Sequence, residues 1–304
     1  MTRAVGVIGL GAISPYFCAA IRDTPRWRLA AVCDRDPERC APFVAQGVPA
    51  FGAYQDLLES ELVEAVVVTL PNDLHPEVVR AALDRGLDVC CEKPLATDAD
   101  EARRLAEAAV RRGRTLLTAS HRRYNRHLVE LANSLPPRAE ITRVVSRYYE
   151  DITEHTGGET WYFDSRRCGG GCLMDNGPNA VDVVRRLLGE LMVTGGTIAA
   201  ERDGVEYRAL IELATADGIP VEVDLDWAYR GQVKDVTVET ADGRRLVADM
   251  LAGFDGLKGS LAHEYAAIMA DFADRADQVA VPDDGPAVVS LIEDAYRLAR
   301  RSER

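Results

Sequence analysis

Lysine is nearly missing from this chain of 304 residues: of its 36 basic residues only Lys93, Lys234 and Lys258 are lysines. The other 33 are arginines, so a position that keeps a lysine asks for something arginine lacks, such as a proton that can leave. A basic excess is missing too. With 49 acidic residues the net charge is -13, which repels phosphate backbones and anionic membrane surfaces, so neither nucleic acid nor membrane is an expected partner. No apolar run approaches the roughly 20 residues of a membrane span, and Val5 to Leu10 is too short and too soon glycine-rich for a signal peptide. The seven cysteines are odd in number and lack a paired C-x-x-C set, so they read as reduced thiols of a cytoplasmic protein. Neither they nor the five histidines show zinc spacing, and no metal is expected.

What remains is ordinary globular material, 47% hydrophobic and 28% charged, long enough for two domains at roughly 150 residues each. Over the first 120 residues short apolar runs alternate with helical patterns, the signature of a parallel sheet with crossover helices. Strands are expected at Ala4 to Ile8, Leu29 to Cys33, Ala65 to Thr69, Asp88 to Cys91 and Thr115 to Thr118. Helices are expected at Ser14 to Asp23, Pro37 to Gln46, Tyr54 to Glu59, Pro76 to Arg85 and Asp98 to Arg112. Beyond the loop at Asn133 to Pro137 longer strands take over between Ile141 and Asp249, and turns at Ala216-Asp217-Gly218 and Ala241-Asp242-Gly243 suggest an antiparallel meander. Helical patterns at Gly177 to Leu188, Leu261 to Ala276 and Pro286 to Arg301 would cover one face of that open sheet.

Val5 to Ser14 places a strand before a glycine turn and a helix start. Gly9 permits the turn, Gly11 lets a pyrophosphate approach, and the amides about Ala12 and Ile13 would bind its charge; Ser14 stands where the fingerprint has its third small residue. Asp34 closes the second strand, where its carboxylate would accept hydrogen bonds from ribose hydroxyls. That carboxylate favours NAD, and Arg35 beside it leaves NADP open. Leu70, Pro71, Asn72 and His75 form a polar turn at a strand's carboxyl end; they fit cofactor contact and a plain turn with helix cap equally well. Glu92-Lys93-Pro94 ends another strand at the same edge, and a partly desolvated Lys93 suits proton transfer. A surface ion pair with Glu92 is the simpler alternative.

A second cluster runs from Cys168 through Gly169-Gly170-Gly171 to Asp182. If its helix begins early, Asp175, Asn179 and Asp182 share one face and a substrate hydroxyl can bridge the first two. Otherwise Asp175 or Asn176 is a helix cap, with Pro178 just inside it. His155 lies in a polar loop before Trp161 and Tyr162, which would make a wall for a sugar ring; a solvent-exposed histidine fits as well.

This ordered set resembles the Gfo/Idh/MocA oxidoreductases: the glycine fingerprint, Asp34, Pro71-Asn72 to His75, Glu92-Lys93-Pro94, His121 to Asn125, and Gly169 to Gly171 with Asp175 and Gly177. The resemblance implies an α/β chain, with an N-terminal Rossmann domain (residues 1–121) and a C-terminal α+β domain (residues 122–304) whose open sheet is predominantly antiparallel. The last helix is a candidate to pack back on the first domain. Most of the family has an acid/base histidine at the position of Asn179, and asparagine cannot exchange a proton near neutral pH. The aldose 1-dehydrogenases of the family share that asparagine and are similar at Glu150-Asp151, His155, Gly157, Trp161, His121, Arg123 and Tyr124.

The resemblance therefore implies an NAD(P)-dependent oxidoreductase acting on a carbinol carbon of a sugar or cyclitol. Lys93, Asp175 and Asn179 would carry the chemistry, and His121, Arg123, Tyr124, His155 and Trp161 would contact the substrate. Gly9, Gly11, Ala12, Ile13, Asp34, Arg35, Leu70, Pro71, Asn72, His75, Glu92 and Lys93 would bind the cofactor. A keto-sugar, ketone or imine reductase and a non-catalytic dinucleotide-binding regulator are the rival readings. The open sheet face suggests a homo-oligomer, a dimer or tetramer.

Overall fold

A computed structural model describes residues 2–202, 204–256, 258–278 and 281–302. The strands are β1 (Arg3–Ile8), β2 (Trp27–Cys33), β3 (Ala50–Phe51), β4 (Ala65–Val68), β5 (Asp88–Glu92), β6 (Leu116–Ala119), β7 (Ile141–Asp151), β8 (Leu191–Arg202), β9 (Val205–Thr215), β10 (Pro220–Asp226), β11 (Ala228–Thr240) and β12 (Arg245–Asp249). The helices are α1 (Ser14–Asp23), α2 (Pro37–Val44), α3 (Tyr54–Glu59), α4 (His75–Asp84), α5 (Ala99–Arg112), α6 (Arg126–Asn133), α7 (Ser165–Cys168), α8 (Cys172–Leu188), α9 (Leu261–Ala276) and α10 (Gly285–Ser302). The chain divides into two compact units, Met1–Ala119 with Leu261–Pro286 and Ser120–Ser260 with Ala287–Arg304.

The first unit is a parallel sheet of order β3-β2-β1-β4-β5-β6, the doubly wound arrangement. Its central strands are buried throughout, as β4 and β5 show, because helices cover both faces; that is why β4 reads as an unbroken apolar run, while β5 carries Asp88 and Glu92 at its ends. Asp98 caps α5 by accepting from the Glu101 amide at 2.7 Å, and Gly113 ends it in the left-handed region. Helix α9 belongs to this unit. Its Tyr265 ring meets Phe17 edge-on at 4.7 Å, Phe272 stacks on Trp27 at 5.0 Å, and Trp27 Nε1 donates to the Met269 carbonyl at 2.8 Å. The last helix, α10, belongs from Ala287 onward to the second unit.

The second unit holds a sheet of order β12-β11-β7-β10-β9-β8, antiparallel except where β10 runs parallel to β7. The expected meander is thus corrected: the first strand, β7, inserts between β10 and β11, so those two are not neighbours. The two short turns do form hairpins, joining β9 to β10 and β11 to β12. One face packs on α8 through Val144, Ile211, Val223 and Leu225. The other carries exposed Arg143, Arg208 and Glu212 and a lattice of pairs, Arg143 with Glu222 at 2.9 Å and Arg208 with Asp226 at 3.3 Å. All seven cysteines are buried and unbridged, and burial pushes the Cys90 and Cys91 thiols well up.

Candidate active site

The glycine turn of the first unit is built for a ligand to approach its backbone. Gly9 has φ +93°, and a Cβ there would stand 2.7 Å from the Thr69 carbonyl oxygen, so only glycine fits. Gly11 has no such neighbour: a Cβ would meet nothing closer than Arg39 Nη1 at 3.9 Å. The small residue there leaves room rather than avoiding a clash. Ile13 gives α1 no side-chain cap, but the Ser14 amide donates to the Gly11 carbonyl at 3.2 Å, Pro15 has no N–H and the Tyr16 amide donates to the Ile13 carbonyl at 3.1 Å, so an anion would meet the turn amides about Ala12 and Ile13 rather than the first helical turn; the Ser14 hydroxyl also donates to the Gly11 carbonyl, at 2.9 Å. Asp34 is held at the end of β2 by the Leu10 amide at 2.7 Å and the Asp36 amide at 2.9 Å. Space beside Gly11, the turn amides about Ala12 and Ile13 and an aimed carboxylate together fit a dinucleotide. Arg35 is exposed, whereas Arg39, which sequence reasoning passed over, places Nη1 4.0 Å from Asp34 Oδ2.

Next along the sheet edge, Leu70 and Pro71 follow β4 and Asn72 is buried in a 3-10 turn. His75 is fully buried, with Nδ1 2.7 Å from the Pro94 carbonyl oxygen and Nε2 2.8 Å from that of Leu70, so its ring nitrogens face main chain instead of a cofactor. Glu92 ends β5 and accepts from the Tyr265 hydroxyl at 2.6 Å and the Lys93 amide at 3.1 Å. The Tyr265 bond anchors the strand end to α9. Lys93 itself is half-buried, and its peptide bond to Pro94 is cis.

In the second unit α8 starts at Cys172, several residues before the caps that sequence suggested. Asp175 and Asn176 therefore lie inside the helix, and Asp175, Asn179 and Asp182 share a face. The helix begins early because the buried Glu206 carboxylate caps it from β9, its Oε1 accepting from the Gly171 amide at 2.9 Å and the Leu173 amide at 3.0 Å. This also explains the triple glycine. A Cβ on Gly170 would lie 2.0 Å from the Tyr296 hydroxyl and one on Gly171 2.1 Å from the Glu206 carbonyl oxygen, so the glycines serve close packing.

The 3-10 turn His121–Tyr124 packs on α8. Arg123, expected at the substrate, gives its guanidinium to Asp182 in a two-point pair at 2.9 and 2.5 Å, which fixes the turn to the helix. His121 is buried and Tyr124 half-buried on the same turn. Asn179 is 2% exposed, and its Oδ1 has no hydrogen-bond partner among the described residues. One turn earlier, Asn176 donates to Glu150 Oε1 at 2.9 Å. Glu150 Oε2 lies 2.7 Å from Lys234 Nζ and 3.3 Å from His155 Nε2, and Lys258 Nζ donates to the His155 carbonyl at 3.0 Å. Two of the three lysines thus serve one buried cluster. Sequence reasoning missed Lys234 and Lys258 although the lysine count pointed to them. Trp161 stacks on Tyr162 at 3.9 Å just beyond this loop. Among the described residues no group of three or more His, Cys, Asp or Glu side chains is placed to hold a metal, and no helix is long and apolar enough to cross a membrane.

Burial lowers the His155 pKa to about 4 against the opposing pull of Glu150, so the ring is neutral at pH 7. Burial also works to raise the Glu150 pKa, but the Lys234 ammonium, with His155 and Asn176, brings it down to about 2. Both groups have folded pKa values below their unfolded ones, so both stabilise fully above pH 6.5 and lose that contribution as pH falls. Between pH 6.5 and 4 the His155 part amounts to up to roughly 3 kcal/mol. Thermal melting followed from pH 7 to 4 will show Tm falling, and His155→Gln will flatten that decline; an unchanged slope in the variant excludes the assignment.

Comparison with known proteins places this geometry. Residues 3–121 match the family model of the oxidoreductase family with NAD-binding Rossmann fold, and residues 139–245 match the GFO/IDH/MocA C-terminal domain. The chain is 31% identical over 278 residues to a candidate UDP-kanosamine synthase oxidoreductase subunit of Amycolatopsis mediterranei, covering 84% of this chain and 76% of that one. It is 32% identical over 242 residues to D-xylose 1-dehydrogenase (NADP(+)) 2 of Haloferax volcanii, covering 79% and 74%. Its fold is that of GenD2 from gentamicin A biosynthesis, solved with NAD, at a TM-score of 0.88 and 23% identity over 99% of this chain and 95% of that one. With both halves of the fold matched in order, the chain belongs to the Gfo/Idh/MocA oxidoreductase family.

Proposed function

We propose that this NAD(P)-dependent oxidoreductase moves a hydride between the nicotinamide and a carbinol carbon of a sugar or cyclitol, the anomeric carbon, giving a lactone, being one candidate. The observation that carries the substrate class is Asn179. A buried amide oxygen with no donor among the described residues costs stability until something donates to it, and a substrate hydroxyl would do so. The relative named as a xylose dehydrogenase supports the same class.

When bound, the nicotinamide supplies the two-electron chemistry by accepting or returning the hydride. Gly9, Gly11, Ala12 and Ile13 would hold the pyrophosphate, Asp34 the ribose hydroxyls, and Leu70, Pro71 and Asn72 would lie toward the nicotinamide half. In oxidation Lys93 is the proposed acceptor of the hydroxyl proton, with Asp175 the alternative acceptor, and Asn179 is a proposed hydrogen-bond partner of a substrate hydroxyl. His155, neutral at pH 7 and a weak base, serves as a hydrogen-bond partner, with His121 and Tyr124 as further contacts and Trp161 as a stacking wall. Arg123 acts through Asp182. The seven buried thiols suit a cytoplasmic protein, and the paired charges on the uncovered sheet face suit a polar homo-oligomer interface; a strict monomer in sedimentation removes the second idea.

NAD is the preferred cofactor because the Asp34 charge opposes a 2′-phosphate, though Arg39 offsets part of it. Asp34→Asn keeps an acceptor for the held amides and removes that charge. Titrating the variant with each dinucleotide will show the NADP to NAD affinity ratio rising about tenfold. The function itself is tested by nicotinamide absorbance with a panel of aldoses and cyclitols and their keto forms, run in both directions. Turnover of none of them by protein that binds NAD(P) sinks the reading.

A further inference from the structure

His75 opens α4 and is fully buried, yet it is not used to fill space. Its ring nitrogens sit 2.7 Å from the Pro94 carbonyl oxygen and 2.8 Å from the Leu70 carbonyl oxygen. Those carbonyls belong to the two loops that leave the paired strands β4 and β5 at their carboxyl ends. One of these loops carries Lys93, close enough for its charge to oppose protonation of the ring. We propose that His75 is a positioning residue that fastens the Lys93–Pro94 turn to the Leu70–Pro71 turn and so fixes where the Lys93 amino group stands.

The side chain suits the task. Joining two acceptors that lie on opposite edges of one gap needs a flat, rigid group with a polar atom at each end, which imidazole is and a leucine of similar volume is not. Neutral imidazole donates to one carbonyl and turns a lone pair toward the other, whereas imidazolium donates to both. Burial lowers the His75 pKa while the two carbonyls and Asp73 raise it, and the balance falls below the ordinary value. The neutral ring donates to one of the two carbonyls at a time and meets the other with a lone pair, whereas an apolar residue would donate to neither. Because His75 itself follows the Leu70–Pro71 turn in the chain, its bond to the Pro94 carbonyl alone joins two loops whose strand pairing ends at Val68 and Cys91.

This inference rests on the proposed role of Lys93, and its test is kept independent of turnover. Only three lysines are present, so each can be followed by mass spectrometry after brief labelling of the full-length protein with acetic anhydride. In His75→Leu, Lys93 will label about tenfold faster than in the parent, the factor set by loss of one buried hydrogen bond, while Lys234 and Lys258 keep their rates. His75→Gln, whose amide still donates to one carbonyl, will restore part of the protection. Equal Lys93 rates in parent and His75→Leu overturn the proposal, and so does a common rise at all three lysines, which marks a residue that only holds the fold. Should His75→Leu fail to fold, the rate in His75→Gln decides, a value equal to that of the parent overturning the proposal and an intermediate rise specific to Lys93 upholding it. Failure of the Lys93 reading shows differently, as undiminished turnover in Lys93→Met.

Discussion

Lys93→Arg will lose about 10³-fold or more in kcat while its affinity for NAD stays within about threefold of the parent. Arginine is the residue this chain uses for 33 of its 36 basic positions, so the substitution follows its own compositional habit. It keeps the positive charge at the end of β5 and most of the side-chain volume. What it removes is the proton: a guanidinium stays charged at any working pH and can neither accept nor return one. General acid–base contributions are typically 10² to 10⁴, and loss of position adds to that. Steady-state kinetics and dinucleotide titration of the purified variant check it. A kcat within tenfold of the parent would mean that Lys93 contributes charge alone and would move the proton to Asp175.

The second large effect is on stability. Gly171→Ala puts a methyl group 2.1 Å from the Glu206 carbonyl oxygen and 2.6 Å from its amide nitrogen, main chain against main chain, with no flexible side chain to give way. The Glu206 carboxylate that caps α8 sits on that same strand segment, so relieving the overlap breaks bonds to the Gly171 and Leu173 amides as well. A cost above about 4 kcal/mol is expected, in the exceptional range for one substitution. Gly170→Ala meets the Tyr296 hydroxyl, which can rotate away at the loss of its 2.6 Å bond to Glu206, for about 1–3 kcal/mol. Gly11→Ala is the contrast. Its methyl group meets nothing within 3.9 Å, so stability changes by less than about 0.5 kcal/mol while NAD affinity falls. Denaturant midpoints and NAD titrations of the three variants separate glycines needed for packing from the one reserved for a ligand.

That separation marks how far the sequence could be read. The first unit was legible because buried parallel strands appear as apolar runs and the glycine turn falls at a fixed place after the first of them. The two-residue β3 was too short to register, and α6 was hidden because its 8 residues bury only Leu128 and Leu131. In the second unit the strands were legible but not their order, since the pairing of β7 with β10 joins segments far apart in the chain. The start of α8 was misjudged for a related reason: its cap is a glutamate 35 residues away, while nearby Asp175 and Asn176 look like caps themselves. The lysine count was the most informative local signal, and its reach was underused. Lys234 and Lys258 proved as constrained as Lys93, held at Glu150 and at the His155 carbonyl, and Lys258 keeps a φ of +66° that side chains rarely adopt.

Hydride transfer from a carbinol carbon is the claim on which the rest depends, and isotope transfer tests it most directly. The aldose or cyclitol that turns over is to be supplied with deuterium on its reacting carbon, and the reduced dinucleotide examined by mass spectrometry. The expected result is one deuterium on the nicotinamide ring per turnover and none in the Lys93→Met protein. Reduced dinucleotide carrying only solvent hydrogen, with the deuterium released to water, would contradict it.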